Sequence, residues 1–122
     1  MSSPNLLTAN TILGKTTGVL LSTSSTTILN NPASSLKTFK VNTINLANPT
    51  GTTQTAVIQY YTQASLSGSS YHIAANISVP PTSTLTLIDK GTQYYLEENT
   101  SIGGWASALN SIIVTVSYED IS

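Results

Sequence analysis

The chain has 122 residues, with 18 serines and 20 threonines but only four lysines, no arginine, five acidic residues and no cysteine. The missing cysteines exclude a disulfide scaffold and a cysteine-ligated zinc module, and a formal net charge of −1 gives no drive toward nucleic acid or an anionic membrane. No apolar run reaches the roughly 18 residues of a membrane helix, and the Met-Ser-Ser-Pro start lacks a signal peptide's basic flank and apolar core. Thirty Leu, Ile and Val residues and eight aromatics support one folded domain over disorder. Threonine is β-branched, so a Thr-rich surface favours strands.

Residues 1–17 have no clean period and read as an N-terminal arm. It reads either as a disordered arm or as one that orders against a neighbouring subunit, the second carried by its apolar pairs Leu6–Leu7 and Ile12–Leu13. A β-sandwich is expected over residues 18–122. Val19-Leu20-Leu21 and Thr27-Ile28-Leu29 are short strand-like runs, and Asn30-Asn31-Pro32 ends the second with turn formers. In the next run Phe39 and Val41, then Ile44 and Leu46, point inward. The spacing changes from two to three at Asn42–Thr43, so a β-bulge is expected there to keep both pairs on one face. Asn48-Pro49-Thr50-Gly51 is a turn signal.

The run from Thr55 to Tyr61 alternates apolar and aromatic residues on both faces, so its facing is open. The regular alternation Tyr71, Ile73, Ala75, Ile77, Val79 puts His72, Ala74, Asn76 and Ser78 on the other side, and Pro80-Pro81 ends that strand. A hairpin is expected with Leu85 and Leu87 before Asp89-Lys90-Gly91, and Tyr94 and Leu96 after it. Gly103-Gly104 beside Trp105 marks a bulge or a close backbone approach. In the last strand Ile112, Val114, Val116 and Tyr118 face in. Seven to nine short strands at such spacing argue an all-β, two-sheet antiparallel sandwich, immunoglobulin-like or jelly-roll-like.

Catalysis needs convergent groups, and few are present. His72 is the single histidine, and no GxSxG elbow or phosphate-binding glycine motif accompanies it. The adjacent acids Glu97–Glu98 and Glu119–Asp120 would serve glycoside hydrolysis only if one from each pair met across about 5 to 9.5 Å. The sequence therefore reads as non-enzymatic, with no cofactor and no metal. Tyr60-Tyr61, Tyr94-Tyr95 and Trp105 offer rings for carbohydrate stacking or for subunit contact. Charge is divided: residues before Asp89 sum to +3, from Lys15, Lys37 and Lys40, and the remainder to −4. Pairing within the chain or between subunits would both satisfy that division.

The stretches GKTTGVLLSTSSTTILNNPASSLKTFKVNTINLANPTGTTQTAVIQYY, HIAANISVPPTSTLTLIDKGTQYYLEENTSI and IIVTVSYEDIS resemble small β-sandwich virion proteins of tailed bacteriophages, including marine and cyanobacterial ones. The resemblance is carried by Lys37-Thr38 through Val41, Ile44 and Leu46-Ala47-Asn48, then by Val79-Pro80 through Ser83-Thr84-Leu85. It implies a structural protein of the virion, a capsid decoration (cement) protein or else a neck or tail component. The implied partners are the major capsid protein, or neck and tail proteins, together with further copies of the chain in a homo-oligomer. The competing reading is a carbohydrate-binding or host-surface-binding module. Contact residues are expected at Leu6, Leu7, Ile12 and Leu13 of the arm, at Lys37, Lys40, Glu97 and Glu98 among the charges, and at Tyr61, Tyr95 and Trp105 among the aromatics.

Overall fold

The computed structural model describes residues 6–122. Residues 1–5 of the expected arm lie outside the described residues. Nine strands form two antiparallel sheets: β1 (Ile12–Leu20), β2 (Thr26–Asn31), β3 (Thr38–Asn48), β4 (Gln54–Gln63), β5 (Ser67–Val79), β6 (Ser83–Ile88), β7 (Tyr94–Leu96), β8 (Thr100–Ala106) and β9 (Ile113–Ile121). One sheet has the order β1-β9-β3-β6, with the short β7 also on β3, and the other β2-β8-β4-β5. Only β4 and β5 are consecutive strands that pair with each other. The remaining connections cross between sheets or skip strands, which is the winding of a jelly roll and not of an immunoglobulin domain. The N-terminal strand thus ends beside the C-terminal one.

Between the sheets lies one core, in which Leu21, Val41, Ile44, Leu46, Ile58, Val79, Ile112, Val114 and Val116 are wholly buried. Each such side chain contributes about 1.5–3 kcal/mol by leaving water. The expected bulge is present: β3 shifts register against β9 between Val41 and Thr43, and Phe39, Val41, Ile44 and Leu46 are all buried. Phe39 also meets Tyr118 with ring centroids 5.1 Å apart. Gly103 and Gly104 serve a close backbone approach. A Cβ on Gly104 would collide with the Val57 carbonyl oxygen, and one on Gly103 with Leu66 and the Thr26 carbonyl.

Three expectations are corrected. The alternation read over Tyr71–Val79 breaks, because two of the three register shifts between β4 and β5 fall along it, between Ala56 and Ile58 and between Ile58 and Gln59. The slips leave Ala74 buried and Ala75 exposed, and Asn76 takes a φ of 51° to absorb the extra residue. The hairpin expected around Asp89 is absent among the described residues. Asp89 instead caps a 3-10 turn over Lys90–Thr92, accepting the Gly91 N–H at 2.9 Å, and the turn redirects the chain so that β6 and β7 both pair with β3. Strand β1 begins at Ile12 and extends the paired sandwich into the segment read as arm.

Two asparagines read as turn formers are buried pins. Asn48, 1% exposed, donates to the Thr52 and Val79 carbonyls (2.8 and 2.9 Å) and accepts from the Thr50 N–H and hydroxyl. Asn31, fully buried, donates to the Lys37 and Leu96 carbonyls (2.9 and 3.0 Å). Each ties a crossover between sheets to the strand it passes, and each keeps its amide satisfied out of water.

Candidate functional site

Two surfaces gather the residues singled out by sequence. The first is the edge formed by β1. Thr11 and Ser122 exchange backbone hydrogen bonds at 2.9 Å, and the Leu21 N–H donates to the Ile112 carbonyl at 2.9 Å. Their phase directs the odd residues of β1 toward β9. The N–H and C=O groups of Ile12, Gly14, Thr16, Gly18 and Leu20 therefore face the open edge. No residue of β1 is buried. Ile12 is 59% exposed, Leu13 and Leu20 are each 49%, and Leu7, just upstream, is 94%. Leu6 is exposed too.

Behind this edge the charges are paired within the chain. Asp120 lies on the inner face of β9, 2% exposed, with Lys15 Nζ at 2.7 Å and Lys37 Nζ at 3.3 Å from the same carboxylate oxygen. Burial pushes the Asp120 pKa upward. The lysine hydrogen bonds and charges outweigh that and hold it below the ordinary carboxylate value. Lys15 is correspondingly raised, first by its hydrogen bond to Asp120. Lys40 faces Glu119 at 3.8 Å, and the same Glu119 oxygen accepts from Asn42 Nδ2 at 3.0 Å. Glu98 accepts the Leu36 N–H at 2.7 Å. Glu97 is exposed. Of the charged contact candidates, Lys37, Lys40 and Glu98 thus have intrachain partners.

The aromatic candidates separate. Tyr61 is buried, its hydroxyl donating to Gln59 Oε1 at 2.7 Å. The turn after it folds back across β8, with the N–H groups of Ala64, Ser65 and Leu66 donating to Asn99, Asn30 and Ser101 side chains. Trp105 is half-buried on β8 opposite Val57. Tyr95 lines the second surface, a groove of about 290 Å³ shared by β4, β5, β7 and β8. Tyr60, Tyr71, Tyr94 and His72 line it as well. Tyr71 pairs with Tyr60 on the core-side face of β4–β5, as the sequence reading had it, but lies at the groove and is 61% exposed.

None of this assembles a catalytic set among the described residues. Asp120 is held by lysines, His72 has Gln59 as its polar neighbour, and no group of three or more His, Cys, Asp or Glu stands close enough to hold a metal ion. No helix among the described residues is long and apolar enough to cross a membrane.

No protein-family model matches the chain, and no curated protein does. Among solved structures it is similar to a chain of the Bacillus endospore appendages, which form a novel family of disulfide-linked pili. The identity is 12% over 99% of this chain and 95% of that one, with a TM-score of 0.52. The likeness is one of fold. The phage, virion and capsid identity is corrected: the fold matched end to end is that of a bacterial appendage, which conflicts with that identity and gives no support to a capsid, neck or tail placement. The residues that carried the phage resemblance do structural work common to such sandwiches: Lys37–Asn48 includes the bulged central strand β3, and Val79–Leu85 is the crossover from β5 to β6.

Proposed function

We propose that this chain is a non-enzymatic structural subunit of an extracellular assembly, in which copies associate without covalent bonds through the open edge of β1 and the segment preceding it. The observation that carries the reading is a sheet edge of nine residues with none buried, flanked by exposed Leu7, Ile12, Leu13 and Leu20. An unpaired edge with exposed apolar side chains is a template for pairing with another chain, which monomeric β proteins usually blunt by charge, proline or bulges. Here the edge carries one charge, Lys15, which is engaged by Asp120, and no proline. The fold likeness to a pilus protein supports a role as building block. The chain has no cysteine, so the disulfide linkage described for those pili has no counterpart in it.

The contacts of the arm, residues 1–17 as read from sequence, belong to the same proposal: residues before Ile12 would reach the neighbour that β1 recruits. The test is Thr16→Pro in the full chain, with assembly read by sedimentation and electron microscopy. Thr16 sends its N–H outward, so proline there leaves the ladder to β9 intact while capping the edge. Loss of oligomers with an unchanged unfolding midpoint is the expected result. Oligomers that persist unchanged would refute the edge as the contact.

A further inference from the structure

The aromatic groove lies away from β1 and plays no part in that association. Tyr60 from β4, Tyr71 from β5, and Tyr94 and Tyr95 from β7 come from both sheets to line one cavity. Tyr71, Tyr94 and Tyr95 are 61%, 43% and 45% exposed, so core packing does not account for their being aromatic. Leu96 and Ile102, each 1% exposed, line it from the core side and give it a rigid apolar floor.

From this geometry we infer that the groove binds a neutral carbohydrate, one pyranose unit seated against the tyrosine rings. A sugar ring offers an apolar C–H face and a rim of hydroxyls. The groove offers ring faces for the first and phenolic hydroxyls for the second. Charge selects this ligand over an anion: no cationic side chain among the described residues lines the groove, and the charge that acts on Tyr60 is the Glu97 carboxylate, so a phosphate finds no counter-charge there. Burial raises the Tyr60 pKa, and the nearby Glu97 charge adds to the effect, so that phenol stays a neutral donor.

Tyr61 is not one of the groove's rings. It stands with Gln59 and His72 on the other face of β4–β5 from Tyr60 and Tyr71. Its hydroxyl donates to Gln59 Oε1, and Gln59 Nε2 lies 3.4 Å from His72 Nε2.

Titration of the full chain with maltotriose, chitotriose and cellotriose, followed through the tyrosine ring resonances, tests the inference. At least one sugar should shift Tyr71, Tyr94 and Tyr95 saturably, with a Kd of about 1 mM. The Trp105 indole should not move. Tyr94→Ala and Tyr95→Ala should each weaken binding about three- to tenfold, an aromatic contact's worth. Both residues are exposed, and the Phe39 and Tyr118 resonances report that the fold survives. Absence of saturable shifts for all three sugars at about 20 mM, well above weak-binding Kd values, would overturn the inference. So would saturable binding at the same tyrosines of choline, marking a cation site, or of a peptide of residues 1–17, marking a contact between copies.

Discussion

Strands β1 and β3 lie on opposite sides of β9 and pair with the same run of it. Val114 sits between Val19 and Leu46, Val116 between Thr17 and Ile44, and Tyr118 between Lys15 and Val41. The β3 members of these triplets are fully buried, whereas Val19 and Thr17 are half-buried and Lys15 is exposed. Shared ladder partners therefore do not set burial. Strand β3 has β6 and β7 on its far side, while β1 ends the sheet. The middle of the sheet holds the fold; its N-terminal edge is surface left available.

The largest effect should come from truncating the two side chains that flank Val114. Leu46→Ala removes a wholly buried isobutyl group and should cost about 3–4 kcal/mol, cavity included. Val19→Ala, on the same β9 residue, should cost about 1 kcal/mol or less. Urea unfolding of the two variants measures the gap directly. Equal losses would mean that β1 is as much a part of the core as β3.

Asp120 sharpens the comparison because it joins both regions, reaching Lys15 on β1 and Lys37 just before β3. Asp120→Asn should lower stability by about 2 kcal/mol near neutral pH, since charge-assisted hydrogen bonds to a buried carboxylate are lost. The carboxyl is held below its ordinary value, so its stabilising effect is complete above about pH 4 and disappears as pH falls through the lowered folded value. Wild-type and variant stabilities should converge on acidification. A difference that stays constant down to strong acid would place the effect in packing and not in charge.

The middle of the sheet was the more legible region. A change of spacing at Asn42–Thr43 announces the β3 bulge, because four apolar residues cannot otherwise share a face. Bulges in β5 leave no such mark: Tyr71 to Val79 alternates perfectly in sequence, and the slips are set by what β4 and β8 need opposite them. The exposure of Tyr94 and Tyr71 was hidden in the same way: sequence pairs Tyr94 with Leu96 and Tyr71 with Ile73 as packed positions, and both rings are exposed. The burial of Asp120 was equally hidden, since its partners lie 105 and 83 residues away. Charge bookkeeping along the chain showed only that lysines come early and acids late. The topology that puts β1 and β3 on either side of β9 decides that they meet.

The smallest expected change in the monomer tests the edge most sharply. Gly14 and Gly18 sit on the outer face of β1; a Cβ on Gly14 would meet nothing within 4 Å, and one on Gly18 only the Val114 carbonyl oxygen at 4.0 Å. Neither glycine has a positive φ among the described backbone outliers. Nothing within the chain therefore requires glycine at either place, and a strand ordinarily gains from a β-branched residue. Gly14→Val and Gly18→Val should shift monomer stability by no more than about 0.5 kcal/mol, with a gain the expected sign. A second copy pairing with this edge would approach in the plane of the sheet, whereas the added isopropyl groups stand out of that plane, so the outward N–H and C=O groups stay available and sedimentation should show association at least as strong as the wild type's. Association weakened by either valine would mean that the neighbour packs on the outer face of β1 and not along its edge.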